Sequence, residues 1–178
     1  MKYVALLRGI NVGGNSLIKM ADLKVCFESL GHENVKTYIN SGNVIFDSNE
    51  KSETVLSADI ENSIEATFKI PVRVVVISKP NYQKIIQNVP KGWGEEGWKY
   101  NTLFLIPPYD IKEITADIGQ LKQDIETMQI GEGVIYQAML FTSFGKTTGG
   151  KLASRSSYKK MTVRNWNTSR KLLALLEN

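Results

Sequence analysis

One order of short apolar runs and amphipathic stripes occurs twice along this chain, and that order restricts the folds open to it. Tyr3-Val-Ala-Leu-Leu-Arg8 reads as a short buried strand that enters a glycine-rich turn, Gly9 to Gly14. Met20, Leu23, Phe27 and Leu30 then recur at spacings of three, four and three, one face of an α-helix that Gly31 ends. Residues 35–40 and 43–47 read as strands separated by Ser41-Gly42, a pair suited to a tight turn or a bulge. A longer helix over 53–69 has Leu56, Ile60, Ile64 and Phe68 as its stripe and Ser52 as its N-cap, and Pro71 bars continuation into the strand 72–77. Residues 1–90 thus read β-α-β-β-α-β, followed by a short helix from Pro80.

The loop Pro90 to Gly97, rich in glycine and tryptophan, marks the internal boundary. Beyond it a strand at 102–106 is stopped by Pro107-Pro108, and Ile111, Ile114, Ile118 and Leu121 form a helical stripe opened by Asp110 and Glu113 in capping-box spacing. Strands at 124–130 and 134–142 are joined by Gly131-Glu132-Gly133, and helical segments follow at about 150–160 and 164–177. Residues 98–178 therefore read β-α-β-β-α-α. The recurrence predicts an α+β protein of two ferredoxin-like (split β-α-β) halves in tandem, the second ending in helices, together one compact unit. Element order alone carries this, because the halves share no sequence identity.

Composition removes whole classes of chemistry. The 178 residues include one cysteine and one histidine, so Cys26 has no internal disulfide partner and a Cys/His zinc cage lacks ligands. Cys26 reads as a core thiol and His32 as a surface residue after a helix. No metal or cofactor motif is present. No apolar run approaches the roughly 20 residues of a membrane-spanning helix, and Met1-Lys2 leads straight into a short apolar stretch without a cleavage site. A cytoplasmic protein without a membrane partner is expected.

Charge is unevenly spread. The formal net charge is +4, yet residues 146–178 hold eight bases and one acid, Glu177, a local +7, leaving −3 for residues 1–145. Such a tail suits either a phosphate-bearing partner or a solvated helical face.

Three polar clusters stand out. The first is Arg8-Gly9-Ile10-Asn11-Val12-Gly13-Gly14-Asn15-Ser16, a strand-to-helix turn whose amides could converge on an anion. Its spacing nearly fits a phosphate loop, but Asn15 replaces the lysine that would reach the β- and γ-phosphates, which argues against a nucleoside triphosphatase. Asn40, Ser41 and Asn43 form the second, suited equally to a polar ligand and to a buried turn; Ser41 has no general base beside it and is no nucleophile. The third is Thr162-Val-Arg164-Asn165-Trp166-Asn167-Thr168. There Trp166, Ser169, Leu173 and Leu176 make a core stripe, and Arg164, Asn167, Thr168 and Lys171 lie opposite, at a helix start that favours an anion. Lys146 and Lys151, flanking Thr147-Thr-Gly-Gly150, could close the site from another loop. Glu95 and Glu96 read as exposed loop carboxylates, and no paired-aromatic RNA-binding signature appears, although Tyr38 and Phe46 lie on strands.

Leu6-Leu-Arg-Gly-Ile-Asn-Val-Gly-Gly14, Thr37-Tyr-Ile-Asn-Ser-Gly-Asn-Val44 and Thr162-Val-Arg-Asn-Trp-Asn-Thr168 followed by Lys171-Leu-Leu resemble the three signature segments of a bacterial family, domain of unknown function 1697. The resemblance implies a cytoplasmic α+β protein whose activity is unassigned. Its segments coincide with the three polar clusters.

The reading that follows is a cleft for an anionic, phosphorylated or nucleotide-like ligand, built from Arg8, Gly9, Asn11, Gly13, Gly14, Ser41, Asn43, Lys151, Arg164, Asn165, Asn167 and Thr168. The alternative is a nucleic-acid-binding module using the basic C-terminal segment. No catalytic residue is identified, because chemistry near neutral pH would rest on arginine, lysine, hydroxyl, amide and backbone groups alone.

Overall fold

The first strand, β1 (Lys2–Leu7), is shielded on both faces, as its unbroken apolar run requires: every residue from Tyr3 to Leu7 is fully buried. The structure, a computed structural model, describes residues 1–13 and 16–178. After β1 come α1 (Met20–Ser29), β2 (Glu33–Tyr38), β3 (Asn43–Asp47), α2 (Glu53–Phe68), β4 (Val74–Ser78) and α3 (Lys79–Gln87). The four strands form one antiparallel sheet in the order β2-β3-β1-β4, with Leu6 opposite both Asn43 and Val75. Tyr3, Ala5 and Leu7 share a core with Phe46, Leu23 and Phe27 of α1, and Leu56, Ile60 and Ile64 of α2. The helical stripes thus bury the positions their spacing selects, with Met20, Leu30 and Phe68 packed at the edge. Ser52 Oγ accepts from the Val55 amide at 3.2 Å and opens α2 as an N-cap.

The second set of elements is β5 (Trp98–Leu105), α4 (Ile111–Ile118), β6 (Glu126–Gly131), β7 (Val134–Leu140), 3-10 helices at Phe141–Lys146, Gly149–Ser154 and Ser156–Lys160, β8 (Met161–Asn165) and α5 (Trp166–Glu177). Its strands are again antiparallel, in the order β6-β7-β5-β8. Leu103, Leu105, Ile114, Ile118, Ile135, Leu152 and Met161 form its core. Asp110 caps α4, its carboxylate accepting from the Lys112 amide at 2.8 Å and the Glu113 amide at 3.3 Å. The chain divides into two compact units, Met1–Lys84 with Lys171–Asn178, and Ile85–Arg170.

Two expectations for the second half are corrected. Residues 150–160 form short 3-10 helices, and Met161–Asn165 is a strand where a helix start was expected. Thr162 and Arg164 are buried polar residues, so the period-two pattern that marks a half-apolar strand is blurred there. With β8 present, the second sheet repeats the strand order of the first. His32 is a further correction: it is buried, 9% exposed, with its ring 4.5 Å from that of Phe46.

Candidate functional site

In the first unit the two sequence clusters meet. The Leu7 amide donates to the Gly42 carbonyl at 2.8 Å, and the Arg8 amide donates to the Arg73 carbonyl at 2.9 Å, so the turn after β1 starts from a fixed end. Asn11, at φ +55°, then clasps the loop. Its Oδ1 accepts from the Ile18 amide at 2.8 Å, while Nδ2 donates to the Ile18 and Asn40 carbonyls, both at 2.9 Å. Buried Asn43 donates through Nδ2 to the Tyr38 carbonyl at 3.0 Å and to Ser41 Oγ at 3.1 Å. Gly9 and Gly13 are exposed, Arg8 and Ser41 half-buried. Gly14 lies outside the described residues.

The third cluster sits at the junction of β8 and α5 in the second unit. Arg164 is a strand residue opposite Thr102, 6% exposed, and its Nη1 donates to Thr162 Oγ1 at 2.8 Å and the Val163 carbonyl at 2.9 Å. Asn165 supplies the N-cap, its Oδ1 accepting from the Thr168 amide at 2.9 Å. Thr168, placed on the open side by the sequence reading, is buried with Ser169 and Leu172, whereas Trp166 is only half-buried and Asn167 is exposed. The buried face, Thr168, Ser169, Leu172 and Leu176, is therefore rotated from the expected stripe, of which it keeps Ser169 and Leu176.

A different constellation forms around Lys151. Lys122, Lys146, Lys151 and Arg155 line an open concavity of about 210 Å³ with Thr147, Thr148, Gln120 and Ile118. All four cationic residues are exposed, and the two threonines are buried. Beneath the Thr147-Thr-Gly-Gly150 turn lies Glu126, only 4% exposed at the start of β6. Its Oε1 accepts from the Thr148 amide at 2.9 Å and the Lys122 amide at 2.7 Å, and its Oε2 from the Gly149 amide at 3.0 Å. Burial pushes the Glu126 pKa up, but the amide donors from Gly149, Thr148 and Lys122 outweigh it and hold the carboxyl below its ordinary value. The turn's amides thus already hold an anion, the protein's own.

The threonine hydroxyls are also committed. Thr147 Oγ1 donates to the Phe144 carbonyl at 2.7 Å and accepts from the Gly150 amide at 2.9 Å, and Thr148 Oγ1 donates to the Gln120 carbonyl at 3.1 Å. Asp117 fastens the next turn, accepting from Ser156 Oγ at 2.9 Å and the Ser157 amide at 2.8 Å; hydrogen bonding from Ser157 lowers its pKa, with Ser156 and Arg155 adding. The residues lining the concavity thus include four bases and no acid. Sequence reasoning placed Lys146 and Lys151 on one loop but missed Lys122, Arg155 and Glu126.

A family model described as Protein of unknown function (DUF1697) matches residues 1–136. The chain belongs to that family. The matched range holds the Leu6–Gly14 and Thr37–Val44 segments, and Thr162–Thr168 lies beyond it. The solved structure of conserved bacterial protein SP0830 from Streptococcus pneumoniae is similar over 98% of both chains, at 28% identity and a TM-score of 0.88. No curated protein matches. Among the described residues no cluster of three or more His, Cys, Asp or Glu is placed to hold a metal ion, and no helix is long and apolar enough to cross a membrane.

Proposed function

We propose that this DUF1697 protein binds an anionic, phosphorylated ligand at the concavity lined by Lys122, Lys146, Lys151 and Arg155. The observation that carries the reading is that these four basic residues line one depression, while the carboxylate below them, Glu126, already accepts three backbone amides. A concave surface lined by one sign of charge raises the local concentration of oppositely charged ligands. Arg155 adds a fork that pairs with phosphate oxygens, and the lysines add point charges. Within the same reading, the sheet orders β2-β3-β1-β4 and β6-β7-β5-β8 support two ferredoxin-like units in tandem, and the protein acts in the cytoplasm.

The small-anion reading is favoured over nucleic-acid binding by what becomes of the basic tail. Arg164 is buried in β8, and Lys160 Nζ forms an ion pair with Glu113 Oε2 at 2.6 Å, so two of the tail's cations are engaged within the fold. The test is thermal denaturation with a panel of nucleotides and inorganic phosphates. A ligand at about 100 times its Kd adds about 2.7 kcal/mol of stability, a shift of several degrees. Lys151→Ala and Arg155→Ala should each diminish that shift; a panel that leaves the wild-type melting temperature unmoved refutes the proposal.

A further inference from the structure

We propose that β6 is a pairing edge for a second copy of this chain, the two β6 strands lying antiparallel about a twofold axis that passes between their Gln129 residues.

The ladder decides which backbone groups of β6 face outward. The Leu140 amide donates to the Ile125 carbonyl at 2.8 Å, so Ile125 and Leu140 bond to each other. Alternation along an antiparallel ladder gives the same bonding to Thr127 with Ala138 and to Gln129 with Tyr136. The amides and carbonyls of Met128 and Ile130 therefore point away from β7, off the edge of the sheet. The Glu126 amide points the same way but closes on the Lys122 carbonyl at 3.3 Å, which ends the open stretch.

The other strand edges carry closures of the chain's own. The outward amides of β4 donate to α2: Val74 to Glu61 Oε1 at 2.7 Å, Val76 to Ser57 Oγ at 3.2 Å and Ser78 to Glu53 Oε1 at 2.7 Å. The register of β2 with β3 shifts between Glu33 and Lys36, and Lys36 is exposed. On β8 the Arg164 guanidinium donates to the Val163 carbonyl at 2.9 Å. Bulges, edge lysines and covering side chains keep a sheet edge from pairing with another chain. From Thr127 to Gly131, β6 has no charged residue and no proline, its register with β7 is unbroken, and Ile130 is 56% exposed.

The residues of this edge select its occupant. With Gln129 opposite Gln129 of the second copy, Met128 of each chain lies opposite Ile130 of the other, and each such pair exchanges both N–H to carbonyl bonds. Met128 and Ile130 lie on the face of the sheet that carries the Ile114 and Ile118 core, so across the axis apolar side chains cover each other there. On the opposite face the two Gln129 carboxamides meet, each offering a donor and an acceptor. Between Thr127 and Gly131 no like charges are opposed, whereas an acidic or basic strand would find no counter-charge on this edge.

Sedimentation of the full chain from about 10 µM to about 1 mM tests this. The mass should rise with concentration from 20.0 kDa towards twice that value. Ile130→Lys, which places a charge on the edge, should stay monomeric throughout. Ile39→Lys, at an exposed aliphatic of the first unit, should associate as the wild type does. Both substitutions are on the surface, and melting temperatures show that the variants fold. The register is read separately. Residues facing each other without mutual backbone bonds have Cα atoms about 4.5 Å apart, within the reach of a disulfide. Gln129→Cys should therefore crosslink two chains under mild oxidation, and Thr127→Cys, which faces Gly131 of the second copy, should not; Cys26 is buried and adds no background. A chain that stays monomeric up to about 1 mM leaves the edge to water or to a strand of another protein and overturns the proposal. So does a dimer that survives Ile130→Lys, or crosslinking of Thr127→Cys as fast as that of Gln129→Cys.

Discussion

The carboxylate of Glu126 accepts a hydrogen bond from the Gly149 amide at 3.0 Å, so a buried acid at the start of β6 holds the turn that carries the concavity's lysines. With the Thr148 and Lys122 amides it satisfies three backbone donors across two segments. Because its folded pKa lies below the ordinary value of 4.5, its stabilising contribution is complete above that value and is lost as pH falls from there through the folded pKa. Glu126→Gln presents an NH₂ group to amides that need an acceptor. It should cost about 3 kcal/mol in urea denaturation at pH 7, since buried donors left unmatched cost roughly 1–3 kcal/mol each, and it should flatten the acid limb of stability. An unchanged midpoint would show that the turn holds itself.

Asn11 does for the first unit what Glu126 does for the second. Its side-chain amide makes three hydrogen bonds to the backbone, with the Ile18 amide and with the Ile18 and Asn40 carbonyls, from a left-handed backbone that asparagine tolerates. Asn11→Ala should lower stability by about 2 kcal/mol. Asn11→Asp keeps the acceptor for the Ile18 amide but sets a carboxylate oxygen against the Ile18 and Asn40 carbonyls, so it should be at least as harmful as alanine. If alanine and aspartate are both neutral in chemical denaturation, the clasp contributes little.

Gly42 is confined by space as well as by conformation. A Cβ there, at φ +74°, would lie 2.7 Å from Leu7 Cβ and 2.9 Å from Ile10 Cγ1 and Cδ1. Leu7 and Ile10 are both fully buried, so neither yields cheaply. Gly42→Ala should cost about 2–3 kcal/mol from overpacking and strain together, whereas Gly9→Ala, whose added Cβ meets nothing within 4 Å, should cost only the smaller conformational part. Chemical denaturation of the two variants side by side measures the difference.

The contrast between these residues shows what a sequence carries. Leu56, Ile60 and Ile64 were legible because helix geometry converts spacing directly into a buried face, and Ser52 because a cap is a local event. β8 was not, because its buried residues include Thr162 and Arg164, whose burial depends on partners supplied by β5 and by the strand itself. The polar clusters were found as clusters of residue types, and the two in the first unit do meet. Lys122 and Arg155 escaped notice because they reach Lys146 and Lys151 only through the packing of α4, β6 and the 3-10 helices. Glu126 escaped because a lone carboxylate in a strand looks like an exposed one until its three amide donors are in place.

His32 gives the last prediction, and a pH window separate from that of Glu126. Its ring lies against Phe46, with Phe27 at 6.1 Å, and among the described residues its buried Nε2 has no hydrogen-bond partner. Burial lowers its pKa from the ordinary 6.5, and the Asp59 carboxylate opposes this only in part. The unfolded chain therefore takes up a proton near that value while the folded chain does not, so the stability linked to this residue is complete above it and declines as pH falls below it toward the folded pKa. Glu126 acts further down, beginning near 4.5. His32→Phe removes the proton uptake and keeps an aromatic ring on Phe46. The wild type should lose melting temperature between about pH 6.5 and 5, and His32→Phe should lose less over the same interval, although other groups titrate equally in both. Parallel curves for the two proteins would mean that His32 is protonated in the fold as readily as in the open chain, and that the contact with Phe46 tolerates the charge.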